Sequence, residues 1–453
     1  MSQFPLVKLS ELAEISGGIT KNSKRSALPI QRPYLAVANV YANRLDLEKV
    51  STIGVSEGEL GRAELKDGDL IVVEGNGSLS QLGRVALWRG EIKGCLHQNH
   101  LIKVRPGEEV ESKWILYWLM SPTGRRAIEA VGSSTSGLHT LSLSKVSSLP
   151  ILLAPKEDQY RAIAYIELHL TRLDETIATL QAIQAKLKQA RASILKAAVE
   201  GRLVDAKPIL HDGQLEGEDL TSMEDCDADR SSTAGKLSKK KASYNVPTDV
   251  VRVPLPEGWR WTTIDQECIF LKYGTSAKCG SDPDGVPVIR MGNIKDGAIV
   301  MDSIKYLPFD HAEFPDQLLT RGELLFNRTN SSDLVGKTAV FHGNQLHACA
   351  SYIIRVKLKD TVLPELVAYN LNGPSGRAWA QSVASQQVGQ ANINSQKLRA
   401  FYFAVPPFDV QQRIIAEVER RFSVLDQAEA TVNASLRRCG QLRQAVLKRA
   451  FGG

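Results

Sequence analysis

Residues 155–198 read PKEDQYRAIAYIELHLTRLDETIATLQAIQAKLKQARASILKAA, and residues 407–450 read PFDVQQRIIAEVERRFSVLDQAEATVNASLRRCGQLRQAVLKRA. The two stretches share Pro155 and Pro407, Gln159 and Gln411, Arg161 and Arg413, Ile163 and Ile415, Leu173 and Leu425, Asp174 and Asp426, Arg191 and Arg443, and Ala198 and Ala450. The offset is 252 at both ends (407 less 155, and 450 less 198), so no gap intervenes. A period this long is not a solenoid repeat, whose units run roughly 20–50 residues. It marks a module present twice.

Within each stretch the apolar residues alternate steps of three and four. Ile163, Ile166, Leu170, Leu173, Ile177, Leu180, Leu187 and Ile194 form one stripe, interrupted at Gln184 and Arg191. Ile415, Val418, Phe422, Leu425, Val432, Leu436, Cys439 and Val446 form the other, interrupted at Glu429 and Arg443. This is a heptad pattern. Some 40 residues at ~1.5 Å each predict helices roughly 60 Å long. Such a helix cannot bury its stripe inside one small domain, and the simplest partner is the other copy.

The duplication continues upstream in islands. Residues 33–40 (PYLAVANV) align with 287–294 (PVIRMGNI), and 83–90 (GRVALWRG) with 336–343 (GKTAVFHG). These islands read as strands and Gly turns, as do Leu70–Val73, Leu324–Phe326, Leu101–Val104 and Ile353–Val356. Residues 114–120 and 363–371 are apolar at helical spacing. The expected fold is α+β: a domain over 1–152, a helical spacer over 153–202, a linker over 203–254, a second domain over 255–404 and a second spacer over 405–453. The linker carries an acidic block from Asp212 to Asp229, then Lys236, Lys239, Lys240 and Lys241, and reads as a solvated connector.

The 453 residues exceed one typical domain, and the net charge of +6 permits nucleic-acid binding without requiring it. No apolar run approaches the ~20 residues of a membrane span. The start lacks a signal-peptide pattern, and six scattered cysteines form no C-x-x-C pair. These features point to the cytoplasm. Several motifs that suggest chemistry fail on inspection. Val405-Pro406-Pro407-Phe408 has Val where an amino-methyltransferase motif needs Asn or Asp. Gly336-Lys337-Thr338 lacks the upstream glycine of a phosphate-binding loop, with Ser331 in its place. Gly75-Asn76-Gly77 lacks the third glycine of a dinucleotide site. His97 and His100 have no third metal ligand at suitable spacing. No enzyme and no metal site is expected.

Predicted loops instead gather groups suited to base edges and phosphates. In the first copy these are Asn76, Ser78, Ser80, Gln81 and Arg84, then Thr135, His139 and Thr140. In the second they are Arg290, Asn327, Arg328, Thr329, Asn330 and Lys337, then Gln387, Gln390 and Asn392. Arg pairs with guanine and Asn or Gln with adenine in the major groove, while Ser and Thr suit phosphate. Ordinary polar turn chemistry explains any one of them equally well. Their recurrence at the same framework positions, with different residues, suits two readers of different half-sites.

At this point the chain resembles the specificity subunit of Type I restriction–modification systems. The resemblance lies in LKDGDLIVVEG (65–75) and LTRGELLFNR (319–328), SPTGRRAI (121–128) and GPSGRAWA (373–380), and ILLAPKEDQYRAIA (151–164) and FAVPPFDVQQRIIA (403–416). The helix ends ILKAAVEGRL (194–203) and VLKRAFGG (446–453), and LPEGWRWTTI at 255–264, extend it over nearly the whole chain outside 203–254. The opening FPLVKLSELAEI departs from the family by lacking Pro-x-Gly-Trp, and the linker is long and acidic. The resemblance implies two tandem target-recognition domains, with the long helices paired as an antiparallel coiled coil. It implies double-stranded DNA as ligand, two methyltransferase subunits as partners and, where present, restriction–translocase subunits. S-adenosylmethionine, ATP and Mg would sit on those partners and none on this chain. Gln159, Arg161, Ile163, Ile166, Leu170, Leu173 and Ile177 would serve helix pairing and docking, with Gln411, Arg413, Ile415, Val418, Phe422 and Leu425 in the second copy. A coiled-coil scaffold that reads no sequence remains the alternative.

Overall fold

The computed structural model describes residues 4–135, 138–205, 246–248, 254–387 and 389–451; the side chains of Ser133–Leu138 and Gln386–Val388 lie outside this description. The acidic block and lysine cluster expected between 203 and 254 fall outside the described residues. The chain divides into two compact units, one of Met1–Ile183 with Thr431–Gly453 and one of Gln184–Ala430. This division differs from the boundaries expected from sequence. Each unit takes in a segment of both long helices, which run Lys156–Val199 and Phe408–Ala450.

The first unit is organised by a four-stranded antiparallel sheet. Leu70–Val73 lies between Leu101–Pro106 and Val85–Leu87, and Ala13–Gly17 forms the far edge. Leu70, Ile71, Val72 and Val73 are all buried, as a strand covered on both faces must be. A second sheet sets Ile30–Leu35 between Ser51–Val55 and the parallel Leu96–His97. A third, small sheet joins Gly75–Asn76, Leu138–Thr140 and Ser133–Thr135.

The second unit repeats this plan. Its four strands are Cys268–Tyr273, Ile353–Leu358, Leu324–Asn327 and Thr338–Val340. Val286–Ile289 lies between Lys305–Leu307 and the parallel Ala348–Cys349. Thr329–Asn330, Gln390–Asn392 and Ser385–Gln387 make its small sheet.

The sequence islands now have physical causes. In DGDLI and RGELL, Gly68 (φ +91°) and Gly322 (φ +80°) take a left-handed turn that other residues adopt only with strain. The acid that follows is buried and gripped by an arginine of the adjacent strand. Arg105 donates from Nε and Nη2 to Asp69 at 2.7 Å each. Arg355 donates to Glu323 at 2.8 and 2.9 Å. In SPTGR and GPSGR, Pro122 and Pro374 start helices Pro122–Val131 and Pro374–Val383. A Cβ on Gly124 would stand 2.1 Å from Trp118 O, and one on Gly376 2.1 Å from Asn370 O. Only glycine lets each helix lie so close to the preceding one.

Both helix starts are pinned by a glutamine. Gln159 is fully buried; its amide donates to Ala154 O (2.8 Å) and Glu109 O (3.1 Å) and accepts from Glu111 N (2.8 Å). Gln411 donates to Pro406 O and Thr361 O at 3.0 Å and accepts from Leu363 N at 2.9 Å. Sequence reading placed both glutamines on a docking surface. The structure corrects that: they face inward and tie each helix to its own domain.

Within each unit the two helix segments run antiparallel. In the first unit Leu447, Ala450 and Phe451 share a core with Ile163, Ile166, Leu170, Trp114 and Trp118. Arg449 lies 5.8 Å over the Tyr165 ring, and Arg443 bonds Asp174. In the second unit Leu195, Ala198 and Leu203 pack with Trp259, Leu366, Val410, Ile414 and Val418. There Arg191 bonds Asp426, and Glu429 at 2.9 Å. Asp174 and Asp426 are equivalent in the repeat, as are Arg191 and Arg443. The arginine interruptions of the two stripes, Arg191 and Arg443, thus make one equivalent ion pair in each unit. Such exposed pairs contribute little stability, and their value lies in register. Among the docking and pairing residues, Ile163, Ile166, Leu170 and Val418 are buried, and Leu173, Ile177, Ile415, Phe422 and Leu425 are half-buried. In the second helix the fully buried position is Ile414, not Ile415. Arg161 is exposed and bonds Asp158 at 2.5 Å, and Arg413 donates to Asp205 O at 2.9 Å.

Candidate nucleic-acid interface

The small sheet of each unit collects most of the polar residues singled out from sequence. In the first unit Asn76 pairs with His139, and Gly75 with Thr140. A short 3₁₀ turn at Leu79–Gln81 brings Ser78, Ser80 and Gln81 to the same edge, all exposed. Asn76 Oδ1 accepts from Ser78 N at 2.9 Å, and the Ser78 and Ser80 hydroxyls are 3.0 Å apart. Arg84 is half-buried with its guanidinium 5.7 Å over the Tyr41 ring, which Arg44 also covers at 4.6 Å. Thr135 lies in the third strand, its side chain outside the described residues.

In the second unit Thr329 pairs with Asn392, and Asn330 with Ala391. Asn392 Nδ2 donates to Thr329 Oγ1 at 3.1 Å, and its Oδ1 accepts from Arg328 Nη2 at 3.2 Å. The Arg328 guanidinium lies 4.8 Å over the Tyr273 ring. Gln390 is exposed, Lys337 and Asn330 are half-buried, and the Gln387 side chain is outside the described residues. Arg290 donates from Nη2 to Ser303 O at 2.8 Å, away from the small sheet's own bonds. Two expected contact residues face inward instead. Asn327 is fully buried with Nδ2 3.4 Å from Met291 O, and Thr329 is buried with its hydroxyl taken by Asn392. Neither side chain is available to a ligand.

Sequence reading missed two kinds of residue. The first is the arginine of SPTGR and GPSGR. Arg125 donates to Leu82 O (2.6 Å), Ser80 O (3.3 Å) and Leu79 O (3.4 Å). Arg377 donates to Val335 O (2.6 Å) and Asp333 O (2.7 Å). Burial pushes both guanidinium pKa values down, Glu129 and Asp333 respectively opposing that shift. Both nevertheless spend their donors on loop carbonyls, so each arginine fixes the loop beside its small sheet. Their recurrence at the 252-residue offset was the available signal. Arg125→Ala and Arg377→Ala are each expected to destabilise their own unit by about 1–3 kcal/mol, because carbonyls lose charged donors. Hydrogen exchange should rise at 79–82 or 333–335 respectively. Unchanged exchange there would refute the anchoring role.

The second missed group is Glu74, whose Oε2 lies 2.9 Å from His100 Nδ1. By contrast His97 is interior. Its Nδ1 is 2.9 Å from Ala63 O, and burial holds its pKa down to about 4, so the ring is neutral near pH 7. Among the described residues no group of His, Cys, Asp and Glu is placed to hold a metal ion. No helix among them is long and apolar enough to cross a membrane.

These features define a duplicated α+β protein with two long helices and a polar three-stranded sheet on each copy. No protein-family model matches the chain. It is 21% identical over 452 residues to the Type I restriction enzyme StySPI specificity subunit of Salmonella potsdam, covering 98% of this chain and 88% of that one. It is 23% identical over 392 residues to the EcoKI specificity subunit of Escherichia coli K12, covering 85% and 74%. Its fold is shared, at a TM-score of 0.65 and 16% identity over 99% of this chain and 98% of the other, with a chain solved in work on complex assembly and conformational transition of the type I restriction–modification system. The motif resemblance and the curated relatives agree: the chain is similar to Type I specificity subunits.

Proposed function

We propose that this chain is the sequence-reading subunit of a Type I restriction–modification complex. Each unit reads one half of a bipartite, asymmetric DNA site, and the long helices set the gap between the halves. Two methyltransferase subunits dock on the helices and bring S-adenosylmethionine; restriction subunits, where present, bring ATP and Mg. The chain itself carries no reaction, and the complex works in the cytoplasm. The observation that supports this reading best is the contrast between frame and surface. The buried acid–arginine pair, the helix-start glutamine and the loop-anchoring arginine recur in both units. The exposed residues on the equivalent loops differ: Ser80 and Gln81, held beside Arg125, stand where the second unit has Asp333 and Leu334 beside Arg377. A shared frame with divergent polar loops is what two readers of different sequences require.

The test is reconstitution with the methyltransferase subunits and mapping of modified adenines. An insertion of four residues within 167–190 adds about one helical turn and is expected to change the gap while each half-site stays as it was. An unchanged gap, or complexes that bind without sequence preference, would refute the reading; the second result would favour a scaffold.

A further inference from the structure

Glu74 and Arg328 occupy the same mount in the two copies. Glu74 N donates to His100 O at 3.0 Å, and Arg328 N to Tyr352 O at 2.9 Å. Glu74 O accepts from Leu141 N at 2.7 Å, and Arg328 O from Ile393 N at 2.9 Å. The residue before each closes the same loop. Val73 N donates to Arg84 O, and Val73 O accepts from Gly83 N; Asn327 N donates to Lys337 O, and Asn327 O accepts from Gly336 N. The register of LKDGDLIVVEG over LTRGELLFNR places the two residues opposite each other as well. Each then leads directly into the first strand of its small sheet.

The mounts match, but the side chains are opposite in hydrogen-bond sense. A carboxylate only accepts, and a guanidinium only donates. Glu74 is about one-third exposed and engages His100 through one oxygen, which leaves the other without a side-chain partner among the described residues. Arg328 commits Nη2 to Asn392 and Nη1 to Ser351 O at 3.5 Å, and its buried Nε has no acceptor among the described residues. Stacking on Tyr273 fixes the guanidinium plane. Each Nη keeps a hydrogen to spare, so the group is held rigid with donors unspent.

We infer that Glu74 and Arg328 are the base-reading side chains at one equivalent position of the two units. Glu74 accepts from the exocyclic amino group of cytosine or adenine, and Arg328 donates to O6 and N7 of guanine in the major groove. Asn392 and Tyr273 are positioning residues that aim Arg328. The assignment rests on the DNA-reading function proposed above. It gives the asymmetry of the site a chemical origin: one frame presents an acceptor in the first unit and a donor in the second.

The test uses the complex reconstituted with methyltransferase subunits, selected against duplexes randomised across both half-sites. Arg328→Ala should cut the preference for guanine at one position of one half-site roughly 5- to 150-fold and leave the other half-site unchanged. Arg328→Lys, which keeps the charge but loses the fork, should lose discrimination at that position while retaining affinity. Asn392→Ala should relax the same position to a lesser degree. Glu74→Gln should act on one position of the other half-site. An original cytosine there should give way to adenine, whereas an original adenine should persist. Thermal unfolding of each variant is compared with the parent, so that lost folding is not read as lost specificity. Affinity falling evenly over all sequences, with a salt slope smaller by about one unit, would mark a phosphate contact and overturn the assignment. So would unaltered specificity. A parent complex with no sequence preference would instead defeat the functional reading on which the assignment stands.

Discussion

Glu323→Ala is expected to destabilise the second unit by about 3–5 kcal/mol, the cost of stranding a buried charge. The Arg355 side chain is 3% exposed and Glu323 is fully buried. Removing the carboxylate leaves the guanidinium with only neutral acceptors, Leu318 O at 2.7 Å, Asp316 O at 3.1 Å and Gln317 Oε1 at 3.4 Å. The unfolding transition of the second unit should fall by on the order of 10 °C in calorimetry. The double replacement Glu323→Leu with Arg355→Leu should recover much of that loss, since an apolar pair carries no desolvation cost. A loss below about 1 kcal/mol in the single variant would show that the pair is not dry, as exposed pairs contribute no more than that.

Phe451→Ala should cost the first unit about as much, roughly 3–5 kcal/mol, through lost burial and the cavity left behind. The Phe451 ring meets Trp114 at 4.8 Å and Trp118 at 5.3 Å, both edge-on. These two indoles donate to Leu152 O and Pro150 O, which ties the strand Pro150–Leu152 to the helix Ser112–Met120. Their fluorescence should therefore report the loosening directly. The second unit's transition should stay in place. If the first unit melted as before, Phe451 would not be part of its core.

Much of the frame was legible because it is local or repeated. Proline starts, heptads and Gly turns act within a few residues, and a gap-free repeat doubles each signal. The long helices begin just after Pro155 and Pro407, as their sequences predict. The orientation of polar side chains was not legible. Asn327 and Arg328 are adjacent and equally polar, yet one is sealed under Met291 and the other leans on Tyr273. Those partners lie tens of residues away, and no local rule selects between them. Heptad periodicity likewise marks a buried stripe without saying which core receives it. Gln159 and Gln411 looked like surface residues for the same reason: their acceptors, at Glu109 and Thr361, come from distant loops.

The division of the long helices also orders events during synthesis. The second unit is one continuous run, Gln184–Ala430, whereas the first is completed by residues 431–453. Trp114 and Trp118 must wait for Phe451, which lies 268 positions beyond Ile183 (451 less 183). At about 5–20 residues per second the ribosome needs roughly 13–54 s to cover that distance. The domain encoded first is therefore the last to close, and the face of its indoles that Phe451 covers stays open through the making of the other.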